Sequence, residues 1–153
     1  MPRRPPIDDK LGAEMSEVIL ERLKFPRKQI DAIVFTVLKH MNLAAAPKMR
    51  KAKLRRMLLR PTFDLELEQH RIDCLGSHAK LDIYDFLRAE QAALAEQPAL
   101  IEPLVSGRDL MELGMESGPA MGELLNEIRD RQLAEELITR EEALAWAKEK
   151  TAQ

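Results

Sequence analysis

The chain has 153 residues, 45% of them hydrophobic but only 4% aromatic, and a formal net charge of −2. This is enough for one domain or two very small ones around a buried core, and the many Leu, Ala, Glu, Lys and Met residues without alternating β-branched runs exclude a sheet protein. No run approaches the roughly 18 apolar residues of a membrane span, and the opening MPRRPPIDDK lacks the apolar core of a signal peptide, so the cytoplasm is the expected location.

The class expected is all-α: an irregular bundle of about eight helices, divided into a helical region over 1–95 and a tail over 96–153. Residues 1–6 form a proline and arginine arm. A helix then starts at Asp8 or Asp9 and carries Leu11, Met15, Val18, Ile19 and Leu23 on one face, until Phe25-Pro26 breaks it. The next, over 28–43, has Ile30, Ile33, Val34, Val37, Leu38 and Met41 around much of its circumference and is expected at the centre of the core.

Pro47 can open the following helix, which runs to about residue 59. It holds Lys48, Arg50, Lys51, Lys53, Arg55 and Arg56, with Arg60 just beyond; Lys53, Arg56 and Arg60 share a side while Leu54, Met57 and Leu58 turn inward. No acid falls between Met41 and Phe63. Such a run repels itself unless an anion answers it. The asymmetry extends to the whole chain: residues 1–80 hold 17 Lys and Arg against 10 Asp and Glu, residues 81–153 hold 7 against 16.

Asp64 is placed to cap a helix that stops at Gly76, with Leu65, Leu67, Ile72 and Leu75 as its apolar side and Cys74 a buried, unpaired thiol. A helix over 82–95 follows, with Ile83, Phe86, Leu87 and Leu94 inward, and residues 97–103, with two prolines, read as an extended connector. Next come two short helices. Ser106 caps the first with Asp109 three residues on, Gly114 ends it, and Met115 folds back onto it. Gly118 and Pro119 open the second, along which Met121, Leu124, Leu125 and Ile128 recur. Gly118 and Gly122 leave the second N-terminus bare, either to meet a phosphate or to let the two helices pack closely, and the local pattern favours packing. Thr139-Arg140-Glu141-Glu142 is a capping box for a last helix anchored by Ala143, Leu144, Trp146 and Ala147.

Catalytic motifs are missing: there is no phosphate-cradling Gly-Lys loop, nucleophile elbow or paired histidines on a helix. His40, His70 and His78 lie in three segments; with Asp8, Asp9 or Asp73 they form a metal set only if the fold gathers them, and ordinary helix or turn roles are expected instead. His70, Arg71 and Asp73 read as ion-pairing groups that fix packing. The basic stretch therefore carries the chemistry. Lys and Arg on one face neutralise phosphates whatever the base sequence, and the lack of nearby aromatics favours structured RNA or duplex backbone over a single strand.

PLVSGRDLMELGMESGPAMGELLNEIRDRQL followed by ITREEALAWAKE resembles the C-terminal tail of bacterial poly(A) polymerases and CCA-adding tRNA nucleotidyltransferases. The shared pattern is Gly107-Arg108-Asp109-Leu110, Leu113-Gly114, Gly118-Pro119, Gly122 and Gln132-Leu133, then Thr139-Arg140-Glu141-Glu142-Ala143. Upstream, KLRRMLLRPTFDLELEQHRIDCLGSHAKLDIYDFL resembles the stretch before that tail, and GAEMSEVILERLKFPRKQIDAIVFTVLKHM resembles the closing helices of the HD phosphohydrolase-type module in these enzymes. The likeness spans about residues 12–148. The family's Gly-Ser head with its metal-binding carboxylates has no counterpart here, nor has the tandem His-Asp of the HD module.

The resemblance implies a non-catalytic region that helps a polynucleotide adenylyltransferase or tRNA nucleotidyltransferase hold RNA, the implied partners being tRNA and an N-terminal catalytic head. Magnesium and nucleotide belong to that head, and no catalytic or metal residue is assigned in this chain. The implied RNA contacts are Lys48, Arg50, Lys51, Lys53, Arg55, Arg56 and Arg60, with Arg108 and Gly118 from the tail. Where family tails often have a glycine after Gln-Leu, this chain has Ala134 and Glu135, so a more helical link is expected there. The alternatives are an interaction or self-association module that packs on the head, and a stand-alone HD-like relative.

Overall fold

The computed structural model describes residues 9–151, and its regular elements are all helical. The proline and arginine arm over 1–6 and Asp8 lie outside these residues. The all-α class is borne out by nine α-helices and one 3-10 segment among the described residues: α1 Asp9–Arg22, α2 Arg27–Lys39, the 3-10 segment His40–Lys48, α3 Lys51–Leu58, α4 Phe63–Ser77, α5 Asp82–Ala95, α6 Pro98–Ile101, α7 Gly107–Glu112, α8 Pro119–Leu133 and α9 Arg140–Thr151. They fall into two compact units. The first takes the chain up to Lys48 and Arg60–Arg88; the second takes Met49–Leu59 and everything from Ala89.

In the first unit, α1 and α2 form an αα-hairpin. The turn closes with Lys24 in the left-handed region, at φ 57°, and the Phe25 N–H reaching the Leu20 carbonyl at 3.1 Å. Pro26 then occupies the cap position of α2, where its missing N–H costs nothing. Arg27 holds the corner by pairing with Glu17 at 2.8 Å, Glu21 at 3.1 Å and Asp31 at 2.8 Å.

Burial departs from the sequence pattern in this unit. Along α2 only Ile30 and Thr36 are buried, and Leu38 and Met41 are exposed, so α2 is not the all-round core helix expected. The α-helix also ends at Lys39, because Pro47 and the small residues before it continue as a 3-10 segment rather than opening α3. On α4, Leu65, Ile72 and Leu75 are exposed; the inward side is Phe63, Leu67, His70 and Cys74, an i, i+4, i+7, i+11 series in which two members are polar or weakly so. Glu66 is fully buried. It is neutralised by Arg60 at 3.1 Å and accepts the Thr62 hydroxyl proton at 2.7 Å, and Arg60 also lies 5.6 Å from the centre of the Phe35 ring. Thr62, not Asp64, holds the cap position of α4.

The second unit is built on Val105, Leu110, Met121, Leu124, Ile128, Leu137, Ala143 and Ala147, all buried in one cluster. The expected Ser106 cap is present, its hydroxyl accepting from the Asp109 N–H at 3.4 Å, and the structure completes it into a capping box in which the Ser106 N–H donates to Asp109 Oδ2 at 2.7 Å. Gly114, at φ 89°, ends the turn and lets the Met115 N–H reach the Leu110 carbonyl at 3.0 Å. Gly118 and Pro119 open α8 as expected, and Thr139 and Glu142 form the second box. Three expectations fail. Residues 98–101 of the connector wind into α6. A Cβ at Gly118 or Gly122 would meet nothing within 4 Å, so these glycines are not there for close packing; a Cβ at Gly107 would come 3.4 Å from Met121 Sδ, an ordinary contact. The link after Leu133 is no more helical for lacking glycine, since Glu135 itself turns left-handed at φ 63°.

Gly76 lies inside α4 rather than past it, Ala79 taking the left-handed position at φ 57°. Alanine at Gly76, where a Cβ meets nothing within 4 Å, is therefore expected to stabilise the protein by about 0.5–1 kcal/mol. Alanine at Gly114 meets equally open space but is held at φ 89°, and should cost about 1–2 kcal/mol. Urea unfolding of the two variants checks both signs.

Candidate nucleic-acid interface

The basic stretch is divided between the units: Lys48 and Arg60 belong to the first, while Arg50, Lys51, Lys53, Arg55 and Arg56 belong to the second with Arg108 and Gly118. In the second unit α3 packs on α8, with Leu54, Met57 and Leu58 buried as expected.

Much of the positive charge of α3 is answered from within the unit. Arg55, with its side chain only 10% exposed, donates to the Leu133 carbonyl at 2.7 Å and pairs with Glu135 at 3.3 Å. A guanidinium at the last carbonyls of a helix meets both an unsatisfied acceptor and the negative dipole end. Lys51 pairs with the same Glu135. Arg56 bridges Asp130 at 2.6 Å and the Asn126 carbonyl at 3.1 Å. The Lys51 and Arg55 hydrogen bonds hold the Glu135 carboxyl below its ordinary pKa. Arg60, in the first unit, is committed to buried Glu66.

What is left over is specific. Among the described residues Lys48, Arg50, Lys53 and Arg108 are exposed and make no ion pair. Arg50 occupies the cap position of α3 and gives no side-chain cap, so the first N–H groups of α3 stand open beside Arg50 and Lys53. Gly118 likewise leaves the α8 N-terminus without a side-chain cap.

The sequence missed the acids and the amide that organise this unit. Gln132 is 1% exposed. Its amide N–H groups donate to the Ala99 and Glu102 carbonyls, both at 2.7 Å, while its oxygen accepts from Arg129 at 2.7 Å and the Leu104 N–H at 3.3 Å. Arg129 also donates to the Ile101 carbonyl at 2.8 Å. Arg131 lies over the Trp146 ring at 4.7 Å and pairs with Glu136 at 2.9 Å. Asp109, besides its box with Ser106, pairs with Arg140 at 2.5 Å; the Ser106 bonds first, then Arg140, hold its carboxyl far below the usual range. The surplus of acids after residue 81 was the available signal for the α3 pairings.

The histidines do not form a metal centre: among the described residues no three His, Cys, Asp or Glu groups are placed to hold an ion. His70 is buried with Nε2 3.5 Å from Cys74 Sγ, and burial lowers its pKa. Arg71 pairs with Glu68 at 2.5 Å, and burial raises the Cys74 thiol.

The family model for tRNA nucleotidyltransferase domain 2 matches residues 10–147. The chain belongs to this family. It is 35% identical over 152 residues to the A-adding tRNA nucleotidyltransferase of Deinococcus radiodurans, a match that takes in 92% of this chain and 35% of that protein. To the CC-adding tRNA nucleotidyltransferase of Thermus thermophilus it is 29% identical over 143 residues, 90% of this chain and 32% of that one. The chain thus spans about a third of the length of these curated relatives. No solved structure matches it. In this tRNA nucleotidyltransferase region, Gln132 of the tail pattern is a buried latch and Asp109 a capping carboxylate.

Replacing Gln132 with Leu leaves the Ala99 carbonyl and the Leu104 N–H without their Gln132 partner and the Glu102 carbonyl with only its 3.4 Å bond from Arg129, and is expected to cost about 2–4 kcal/mol in chemical unfolding, whereas Arg50→Ala should stay within about 0.5 kcal/mol. Because the folded Asp109 pKa is depressed, its contribution is present at neutral pH and is lost as pH falls below about 4, the unfolded value. Asp109→Asn should lower the thermal midpoint at pH 7, and the gap to the wild type should narrow in melts taken at progressively more acid pH.

Proposed function

We propose that this chain is a non-catalytic, RNA-binding helical region of an enzyme that adds nucleotides to tRNA 3′ ends, acting with a catalytic portion that supplies magnesium and nucleotide. The observation that carries the reading is the open N-terminus of α3 with Arg50 and Lys53 unpaired beside it. Backbone N–H groups, the positive dipole end and two exposed cations together suit a phosphate. Membership of a tRNA nucleotidyltransferase family supplies the substrate class, since two relatives carry tRNA in their names. Lys51, Arg55 and Arg56 are then positioning groups that fix α3 on α8. Arg108 and the N-terminus of α8 at Gly118 are the secondary contacts, limited by Glu112, Glu116 and Glu123 in the surrounding sequence.

The second reading is an interaction module, favoured by the apolar side chains that the first unit leaves exposed.

A shift assay with tRNA discriminates. The Arg50→Glu/Lys53→Glu double variant should weaken binding at least tenfold at about 0.1 M salt and flatten the log–log salt slope by roughly 0.7–0.9 for each phosphate contact removed, with its helix content unchanged. Equal affinity and slope for variant and wild type would sink the assignment of this surface.

A further inference from the structure

The amphipathic α1 turns its apolar side to solvent. Leu11, Met15, Val18, Ile19 and Leu23 keep 51%, 54%, 67%, 46% and 58% of their surface, while Ala13 faces inward. Their spacing of i, i+4, i+7, i+8, i+12 makes one continuous stripe. Such a stripe exposes on the order of 500 Å² of apolar surface, at the upper end of what monomers leave uncovered. With its polar rim it approaches the roughly 800 Å² per partner of a stable pairing.

The charges on α1 choose the occupant. Arg22, the last residue of α1, continues the seam of Leu11, Met15 and Val18, while Glu14 borders that seam about two turns earlier, and neither has an ion-pair partner among the described residues. Glu17 and Glu21, further round, are already taken by Arg27. An antiparallel copy of the same helix, centred between Met15 and Val18, sets Met15 of one protomer on Val18 of its partner. It lays each Arg22 stem along Leu11 opposite, with the guanidinium within a turn of the Glu14 carboxylate. A parallel copy would oppose Arg22 to Arg22 and Glu14 to Glu14.

We propose that a second copy of this chain docks on the α1 stripe in antiparallel orientation, so that two α1–α2 hairpins complete a four-helix bundle. This deepens the interaction reading and is independent of the RNA contacts, which lie in the other unit.

Sedimentation equilibrium of the full chain from about 1 to about 100 µM should show a monomer–dimer equilibrium. Val18→Glu places two carboxylates in the seam and should raise the dissociation constant at least about thirtyfold. Val18 is exposed in the single copy, so the circular dichroism of that variant should match the wild type. Glu14→Arg and Arg22→Glu should each weaken pairing several-fold, and the double swap should restore it. A chain monomeric throughout, or a dimer indifferent to Val18→Glu, overturns the proposal; failure of the double swap to restore pairing overturns the orientation. Measuring tRNA shift with the Val18→Glu variant separates the readings: retained binding leaves the RNA assignment standing when the α1 pairing fails, and lost binding in the Arg50/Lys53 variant leaves the pairing untouched.

Discussion

A nearly buried guanidinium ties the second unit together. Arg55 reaches across 78 positions of sequence to the Leu133 carbonyl, and its Glu135 partner is presented by a residue held left-handed at φ 63°. The seam between α3 and α8 could have been sealed by apolar side chains alone, as Leu54, Met57 and Leu58 partly do. Ion pairs add orientation: a carbonyl, a carboxylate and a guanidinium fit in one register, whereas leucines slide. Removing Arg55 would take the donor from the Leu133 carbonyl, which is costly even where the ion pair to the exposed Glu135 contributes little net stability. The same pairings decide how much of the positive charge remains for a ligand.

The tail pattern that marks the family turns out to be architecture in most of its positions. Ser106 and Asp109 close the cap of α7, and Arg140 draws the start of α9 onto that cap. Gly114 turns the chain through the left-handed side at φ 89°. Gln132 satisfies the Ala99 and Glu102 carbonyls in and just after α6, which Pro98 opens and beyond which Pro103 bars a longer helix. A motif of this kind specifies a fold reliably and says little about which atoms touch a substrate.

Which parts were legible follows from what each signal measures. Caps and stops are local, decided by a few neighbouring residues, and Ser106, Pro119 and Thr139 were placed from sequence alone. Burial is not local. Periodicity located the stripe on α1 but could not say whether anything covers it, and on α4 it selected the more hydrophobic series over the one containing His70 and Cys74 that the fold buries. The basic stretch shows the same limit. Its lack of acids demands an anion, but that demand is met equally by a phosphate or by Asp130, Glu135 and Glu66 arriving from later sequence.

That division sharpens the electrostatic argument for RNA. A helix whose every cation was paired would offer a phosphate nothing, since each new contact would have to displace an existing carboxylate. A helix with none paired would repel itself and its neighbours. Here the cations on the packed side of α3 are neutralised, which fixes the helix, while Arg50 and Lys53 at its open end keep their charge and sit beside N–H groups already lacking acceptors. The surface proposed for RNA is thus smaller than the run of Lys and Arg suggests, and on this reading its strength would depend on pre-ordered geometry more than on total charge. The acids that take up the other cations are the reason that α3 is held still enough to present it.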